Sequence, residues 1–167
     1  MRNKIFIVVT ALLIATVCGL KMHSVIFAAE NTFKAGSEPN GFNGIKWGTD
    51  IATLNSMKHY KGTPKGTEVF LKKNENLVFG RAKLERIEYY FVENKLEKVL
   101  IIVKGSENWD AFKKAVFDTY GLGLKEKRTF GGLTERYEWR GQITDMGLGY
   151  NPSVKKGSLF MIHTKRN

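Results

Sequence analysis

Apolar and polar residues alternate at helical spacing in one stretch of the chain, residues 108–121. Five large apolar side chains follow at i, i+3, i+7, i+8 and i+11 and share one stripe of a helix: Trp109, Phe112, Val116, Phe117 and Tyr120. Asn108 stands at the position of an N-cap, and Gly121 stands where a helix stops. The pattern predicts a helix here, and strand-like segments on both sides favour a sheet as the surface that covers its aromatic stripe.

A second, shorter helix is predicted at about 50–58. Thr49 can act as its N-cap, and Asp50 supplies an acid in the first turn, where the helix dipole favours negative charge. Three apolar residues then fall on one side of this helix: Ile51, Leu54 and Met57.

The strongest strand signal is a pair of alternating segments, 84–92 and 96–104, joined by Glu93-Asn94-Lys95. A three-residue loop sets Val92 opposite Leu96 and Tyr89 opposite Val99. One face of the pair then carries the predicted core set Ile87, Tyr89, Val99, Ile101 and Val103. The other face mixes charged residues with four apolar ones: Tyr90, Val92, Leu100 and Ile102.

Further strands are predicted at 68–72 and 77–81 and, after the long helix, at 134–140, 143–150 and 158–164. The segments 134–140 and 143–150 pair around Gly141-Gln142, and their inward set is Tyr137, Trp139, Met146, Leu148 and Tyr150. The last strand is apolar on both sides, which is typical of a strand in the middle of a sheet or covered on both faces.

The order of elements is helix, three or four strands, helix and three strands. This order indicates an α+β fold built from a duplicated α-β-β-β unit, with quasi-repeats at about 44–104 and 105–167. Two such units place both helices on one face of a continuous antiparallel sheet. The sequence therefore predicts a single α+β domain over 44–167.

Three stretches resemble small exported bacterial proteins of unassigned function: 44–48 (Gly-Ile-Lys-Trp-Gly), 87–91 (Ile-Glu-Tyr-Tyr-Phe) and 139–150. This resemblance covers most of the predicted domain and implies no activity. The element order is similar to that of the β-lactamase-inhibitory-protein-like fold and of the small outer-membrane-assembly lipoprotein, both exported binding proteins. The chain departs from them by lacking domain cysteines, a lipobox and a second helix per repeat. Inhibition and lipoprotein anchoring are therefore not carried over.

The N-terminal residues have the pattern of a secretory signal. A basic start precedes the apolar run 5–20, and Ala28-Ala29 offers a small-residue cleavage site. We expect a signal peptide at 1–29, a flexible leader at 30–43 and a periplasmic or secreted protein. The alternative is an inner-membrane protein anchored by an uncleaved N-terminal segment.

The net positive charge of the chain limits the kinds of molecule that we expect it to bind. The whole chain carries a formal net charge of +11, and removal of residues 1–29 leaves +8. This excess favours contact with an anionic envelope surface or an acidic protein. Nucleic acid does not suit an exported protein. Cys18 is the single cysteine of the chain and lies within 1–29, so the exported part has neither disulfides nor thiol chemistry.

Candidate chemistry is sparse. His59 and His163 have no further donors at the spacing of a known metal site. Glu138 and Asp145 are predicted cross-strand neighbours, but arginines flank Glu138, so a charge ladder explains them better than a catalytic pair. We therefore predict no catalytic residue, no cofactor and no metal site, and a protein that is not an enzyme.

The remaining candidate is a binding surface formed by Tyr90, Val92, Leu100 and Ile102, an apolar patch with a charged rim. We predict an exported, non-enzymatic binding or interaction module of the bacterial cell envelope. A protein partner, a second copy of the chain and an anionic envelope surface all fit this patch. The alternatives are an unrecognised envelope hydrolase, a structural homodimer, and a patch covered by the chain's own leader or loop.

Overall fold

The computed structural model describes residues 32–63, 65–126, 132 and 134–164. One α-helix lies within these ranges, α1 (Ser106–Tyr120), together with a 3-10 turn at Ile51–Thr53. The first strands are β1 (Gly41–Phe42), β2 (Ile45–Lys46), β3 (Met57–Gly62), β4 (Thr67–Lys72), β5 (Val78–Phe79) and β6 (Ala82–Val92). The later strands are β7 (Lys95–Lys104), β8 (Leu124–Lys125), β9 (Glu135–Arg140), β10 (Thr144–Asn151) and β11 (Lys156–His163).

The strands form one large antiparallel sheet in the order β3-β4-β6-β7-β11-β10-β9-β8, and β5 pairs with the start of β6. β1 and β2 form a separate two-stranded ribbon. The predicted α+β fold, a duplicated α-β-β-β unit with two helices on one face, is therefore wrong. The described chain is mostly antiparallel sheet and carries a single α-helix on one face.

The second predicted helix, at 50–58, is replaced by the 3-10 turn and by β3. An Asp50 carboxylate oxygen accepts a hydrogen bond from the Ala52 amide at 2.9 Å, which caps only one short turn. The amide of Ile51 donates to the Asn94 carbonyl at 2.9 Å and so ties this turn to the β6–β7 hairpin. From Met57 onward the backbone pairs with β4. Distant strand partners override the helical spacing.

The long helix is confirmed. Its buried residues are Trp109, Phe112, Val116 and Tyr120, four of the five residues of the predicted stripe. The predicted cap is wrong, because α1 begins at Ser106 and Gly105 occupies the N-cap position with a φ of 92°. Asn108 instead accepts a hydrogen bond from the Lys83 amide at 2.9 Å and donates one to the Lys83 carbonyl, which fastens α1 to β6.

An N-terminal segment, residues 32–54, covers the same side of the sheet as α1. It contributes four buried aromatic or branched residues to the core: Phe33, Phe42, Ile45 and Trp47. The Trp47 indole N–H donates to the buried Thr144 hydroxyl at 2.7 Å. The Phe33 ring meets the Tyr120 ring edge-on. Phe33 and Phe42, which lie within the stretch assigned above to a leader, thus belong to the core, and the segment covers part of the sheet face where the second helix was predicted.

The β6–β7 hairpin turns through two residues, not three. Glu93 and Asn94 both have positive φ angles, of 48° and 64°, the pattern of a type I′ turn. Val92 therefore faces Lys95, and the predicted pairing of Val92 with Leu96 is wrong. A bulge at Glu97 restores the register, so Tyr89 faces Val99 as predicted. All five residues of the predicted core set are buried.

The second hairpin follows the prediction closely. Trp139 and the inward residues of β10 are buried, and β11 lies in the middle of the sheet between β7 and β10. Glu138 faces Gly147, whereas Asp145 faces Arg140, so the two acids are not directly opposite each other.

Candidate functional site

The candidate site is the side of the sheet opposite α1, which we call the open face. The contacts of α1 with β6, β7 and β11, and those of the N-terminal segment with β10, lie on the other side. Within the described residues, no helix or further strand packs over the open face. Its side chains come from alternate positions of every long strand.

The structure places all four predicted surface residues on this face, but with unequal exposure. Val92 is 40% exposed at the hairpin end, and Ile102 is only 9% exposed. Tyr90 and Leu100 are half-buried. Leu100 and Ile102 are neighbours along β7, whereas Tyr90 and Val92 lie on β6 next to lysines, opposite Lys98 and Lys95 respectively. The four therefore form two pairs and not one even patch.

Two apolar residues of β11 extend this surface and were missed from the sequence. Phe160 pairs with Leu100 of β7, and Ile162, 38% exposed, pairs with Lys98. The Phe160 ring also lies over Gly147, its partner on β10, where an added Cβ would approach the ring to 2.2 Å. We call the set Leu100, Ile102, Phe160 and Ile162 the apolar centre. The signal was the apolar run in β11, whose sidedness becomes clear only beside β7.

A buried carboxylate lies beside the apolar centre. The Glu88 side chain is 1% exposed. It accepts hydrogen bonds from Arg86 Nε and from the Tyr90 hydroxyl, both at 2.6 Å, and Lys61 Nζ lies 3.6 Å away. Burial raises the pKa of Glu88, but the two hydrogen bonds and the Lys61 charge outweigh it, and the pKa lies below its usual value. Glu88 is therefore ionised at neutral pH.

Two other acids of the open face, like Glu88, each contact two cationic side chains. Glu85 contacts Arg86 Nη1 and Lys156 Nζ, each at 3.0 Å. Glu138 contacts Arg136 and, at 3.7 Å, Arg140. Glu85 and Glu88 share Arg86, so these two acids contact three cations, Arg86, Lys61 and Lys156, and this cluster keeps an excess of one positive charge. This arrangement was not predicted, although the charge ladder around Glu138 was.

Cations outnumber acids around the apolar centre. The cations are Lys58, Lys61, Arg86, Lys98, Lys104, Arg136, Arg140 and Lys156. The acids are Glu85, Glu88, Glu138 and Asp145. The side chains of Glu85, Glu88 and Glu138 are 27% exposed or less, whereas those of Lys61 and Arg140 are 47% and 59% exposed. The outermost charge of the open face is therefore positive.

The solvent side of α1 has the opposite balance. It carries Glu107, Asp110 and Asp118 against Lys113 and Lys114. Lys114 binds Asp118 within the helix at 2.7 Å. Lys113 reaches Glu135 of β9 at 2.8 Å. The positive charge of the protein is thus distributed unevenly between its two sides.

The histidines lie in separate pairs. His59 contacts Glu68 at 2.5 Å, and His163 contacts Glu97 at 3.2 Å with its ring stacked on Trp47. Across residues 32–63, 65–126, 132 and 134–164, no three His, Cys, Asp or Glu residues converge as a metal site. In the same ranges no helix has the length and apolar character needed to cross a membrane.

No protein-family model, curated protein or solved structure matches the chain. The resemblances noted from the sequence therefore stay predictions.

Proposed function

We propose that the protein is an exported, non-enzymatic binding module whose open face docks onto an acidic surface of a partner protein. One observation carries the proposal: the open face keeps a partly exposed apolar centre surrounded by an excess of cations. An apolar centre with a polar, charged rim is the usual anatomy of a protein–protein interface. Positive charge of this kind also steers an anionic partner toward the surface.

The shape of the surface favours a protein over a lipid bilayer. Ile102 is recessed and Leu100 and Phe160 are half-buried in the sheet, so most of the apolar centre does not project, although Ile162 at its edge is 38% exposed. Peripheral membrane binding relies on apolar side chains that reach several ångströms into the headgroup region. A flat partner surface with acidic side chains around an apolar middle meets the open face without such projection.

A second copy of the chain fits less well. Two-fold pairing of open faces would bring the same residues of both copies together. Arg140, Lys61 and Lys98 would then approach like charges across the interface, which costs free energy. We therefore expect a monomer in sedimentation at low salt. If the protein sediments as a dimer and the Leu100→Glu variant sediments as a monomer, the result would support a homodimer formed through the open face.

Export is part of the proposal and rests on the sequence pattern of residues 1–29. The expected product starts near Glu30 and is periplasmic or secreted. N-terminal sequencing of the native protein tests this. An intact Met1 in a soluble cytoplasmic fraction would contradict export, and an intact Met1 in the inner membrane would support the uncleaved anchor.

The binding surface is tested by reversing one charge on each side of the molecule. Lys98→Glu changes the open face beside Tyr90, where the ammonium lies 4.8 Å from the ring centre. Lys114→Glu makes the same change on α1, at a side chain that is 76% exposed. Titration with poly-L-glutamate at low salt should show binding weakened at least about fivefold, or about 1 kcal/mol, by Lys98→Glu. Lys114→Glu should weaken it less than about twofold, since screening limits charge effects at a distance.

Equal weakening by both variants would mean that affinity follows net charge alone, and the open face would lose its role. Vesicles of equimolar phosphatidylglycerol and phosphatidylcholine form the second arm of the test. Tighter binding to these vesicles than to poly-L-glutamate, with the same dependence on Lys98, would assign the surface to anionic lipid.

A further inference from the structure

We infer that Glu88 is a positioning residue that presents Arg86 and Lys61 as one fixed cationic site for a carboxylate of the partner. This inference rests on the proposed function and deepens it. On this inference, a buried acid on a basic surface strengthens the binding of an acidic partner.

The first support is the difference in depth between the acid and its cations. The Glu88 side chain is 1% exposed, while Arg86 is 33% and Lys61 is 47% exposed. The carboxylate thus forms the floor of the cluster, and the cations form its solvent side. A partner would reach the cations first and would not approach Glu88 directly.

The second support is the number of contacts that hold the cations. Arg86 uses Nε for Glu88 and Nη1 for Glu85, and neither contact uses Nη2. The Tyr60 ring lies 5.9 Å from the Arg86 guanidinium carbon and 5.1 Å from Lys61 Nζ, at cation–π distances. Both cations are therefore restrained from two directions before any partner arrives.

The third support is the physical cost of binding through long side chains. Free arginine and lysine side chains lose rotamer freedom when they bind, and this loss weakens association. Side chains already fixed by Glu88 lose less. The planar Arg86 guanidinium, which already donates to Glu85 and Glu88, retains Nη2 for a third acceptor, and arginine matches carboxylate geometry better than lysine.

Two substitutions that replace a carboxylate by an uncharged amide distinguish the positioning of the cations from an effect of net charge. Glu88→Gln and Glu107→Gln each add one positive charge, but Glu107 lies in the first turn of α1, away from the open face. If net charge alone matters, both variants bind poly-L-glutamate slightly more tightly than the unaltered protein. If Glu88 positions the cations, Glu88→Gln binds at least about threefold more weakly, while Glu107→Gln changes affinity less than about twofold. Tighter binding by Glu88→Gln would overturn the inference.

A second pair of variants guards against a simple loss of structure. Arg86→Lys keeps the charge and loses the Nε contact, so positioning predicts weaker binding and net charge predicts no change. Glu88→Asp keeps a carboxylate and should recover part of the affinity that Glu88→Gln loses. Unfolding is measured on the same samples. Unchanged affinity in folded Arg86→Lys would overturn the inference even if Glu88→Gln fails to fold.

The outcomes distinguish this inference from the proposed function. Equal weakening by Lys98→Glu and Lys114→Glu removes the binding surface itself. Selective weakening by Lys98→Glu, together with tighter binding by Glu88→Gln, keeps the surface and rejects only the positioning role of Glu88.

Discussion

Two glycines, one for each side of the sheet, allow an aromatic ring to lie directly on a strand. A Cβ added at Gly157 of β11 would approach the Trp109 ring of α1 to 2.2 Å. A Cβ added at Gly147 of β10 would approach the Phe160 ring to the same distance. Trp109 is 2% exposed and closely packed, whereas Phe160 is half-buried on the open face. The same substitution should therefore have different costs at the two sites.

We expect Gly157→Ala to lower the free energy of unfolding by about 1–3 kcal/mol, because the buried Trp109 ring must be displaced. Gly147→Ala should cost less, because Phe160 can turn toward solvent. Urea denaturation of both variants gives the comparison. An equal or larger loss of unfolding free energy at Gly147 would show that the Phe160 ring cannot turn toward solvent and that it is held rigidly on the open face.

Glu88 also predicts a pH dependence. Its pKa lies below the usual value in the folded protein, so its ionised form stabilises the fold above the unfolded-state pKa near 4.5. This contribution is lost as the pH falls through the folded-state pKa. Glu88→Gln has no carboxyl group at this site, so its free energy of unfolding does not contain this pH-dependent contribution. The difference in unfolding free energy between the two proteins should be larger at pH 6 than at pH 3, and a constant difference would contradict the ionised cluster.

At the scale of elements, α1 is the part on which the covered side of the sheet depends. Phe112 is fully buried and meets Phe79 edge-on, with ring centres 5.6 Å apart. Phe112→Ala should cost about 3–5 kcal/mol, because it leaves a cavity under the helix. Lys114→Ala, on the solvent side, should cost about 0.5 kcal/mol or less. Similar denaturation midpoints for the two variants would contradict the orientation of α1.

The helix could be predicted because its signal is local: five apolar residues at helical spacing are visible in the sequence alone. The second helix could not be excluded in this way. Ile51, Leu54 and Met57 do pack against the core, as their spacing suggested, but from a 3-10 turn, a loop and a strand. The hydrogen bond from the Ile51 amide to the Asn94 carbonyl comes from more than forty residues away and leaves no trace in the local pattern.

In the candidate site, too, some residues could be assigned from the local sequence pattern and others depend on distant contacts. Leu100 and Ile102 could be assigned to one face because β7 alternates regularly. Phe160 and Ile162 could not, since neighbouring residues of β11 are also apolar and only pairing with β7 decides which side they occupy. The Glu88 cluster draws on Lys61, Arg86 and Tyr90, and a register shift between His59 and Lys61 in β3 precedes the Lys61 contact. That shift is not readable from spacing.

At the level of the whole molecule, the two sides of the sheet are built differently. One side is closed by α1 and the N-terminal segment and contains the core. The other side presents the apolar centre among cations held by Glu85, Glu88 and Glu138. Stability and binding should therefore respond to different substitutions. We expect changes at Phe112 or Gly157 to lower the free energy of unfolding, and changes at Lys98 to weaken the proposed association.

The most direct test of this division is methyl NMR of isoleucine- and leucine-labelled protein titrated with poly-L-glutamate. We expect chemical-shift changes confined to the methyl groups of Leu100, Ile102 and Ile162 on the open face. Ile101, which is fully buried on the other side of β7 next to Ile102, should not shift and serves as the internal control. Shifts confined to Ile45, Ile51 or Leu148 on the covered side, with Leu100 and Ile162 unchanged, would contradict the assignment of the open face as the binding surface.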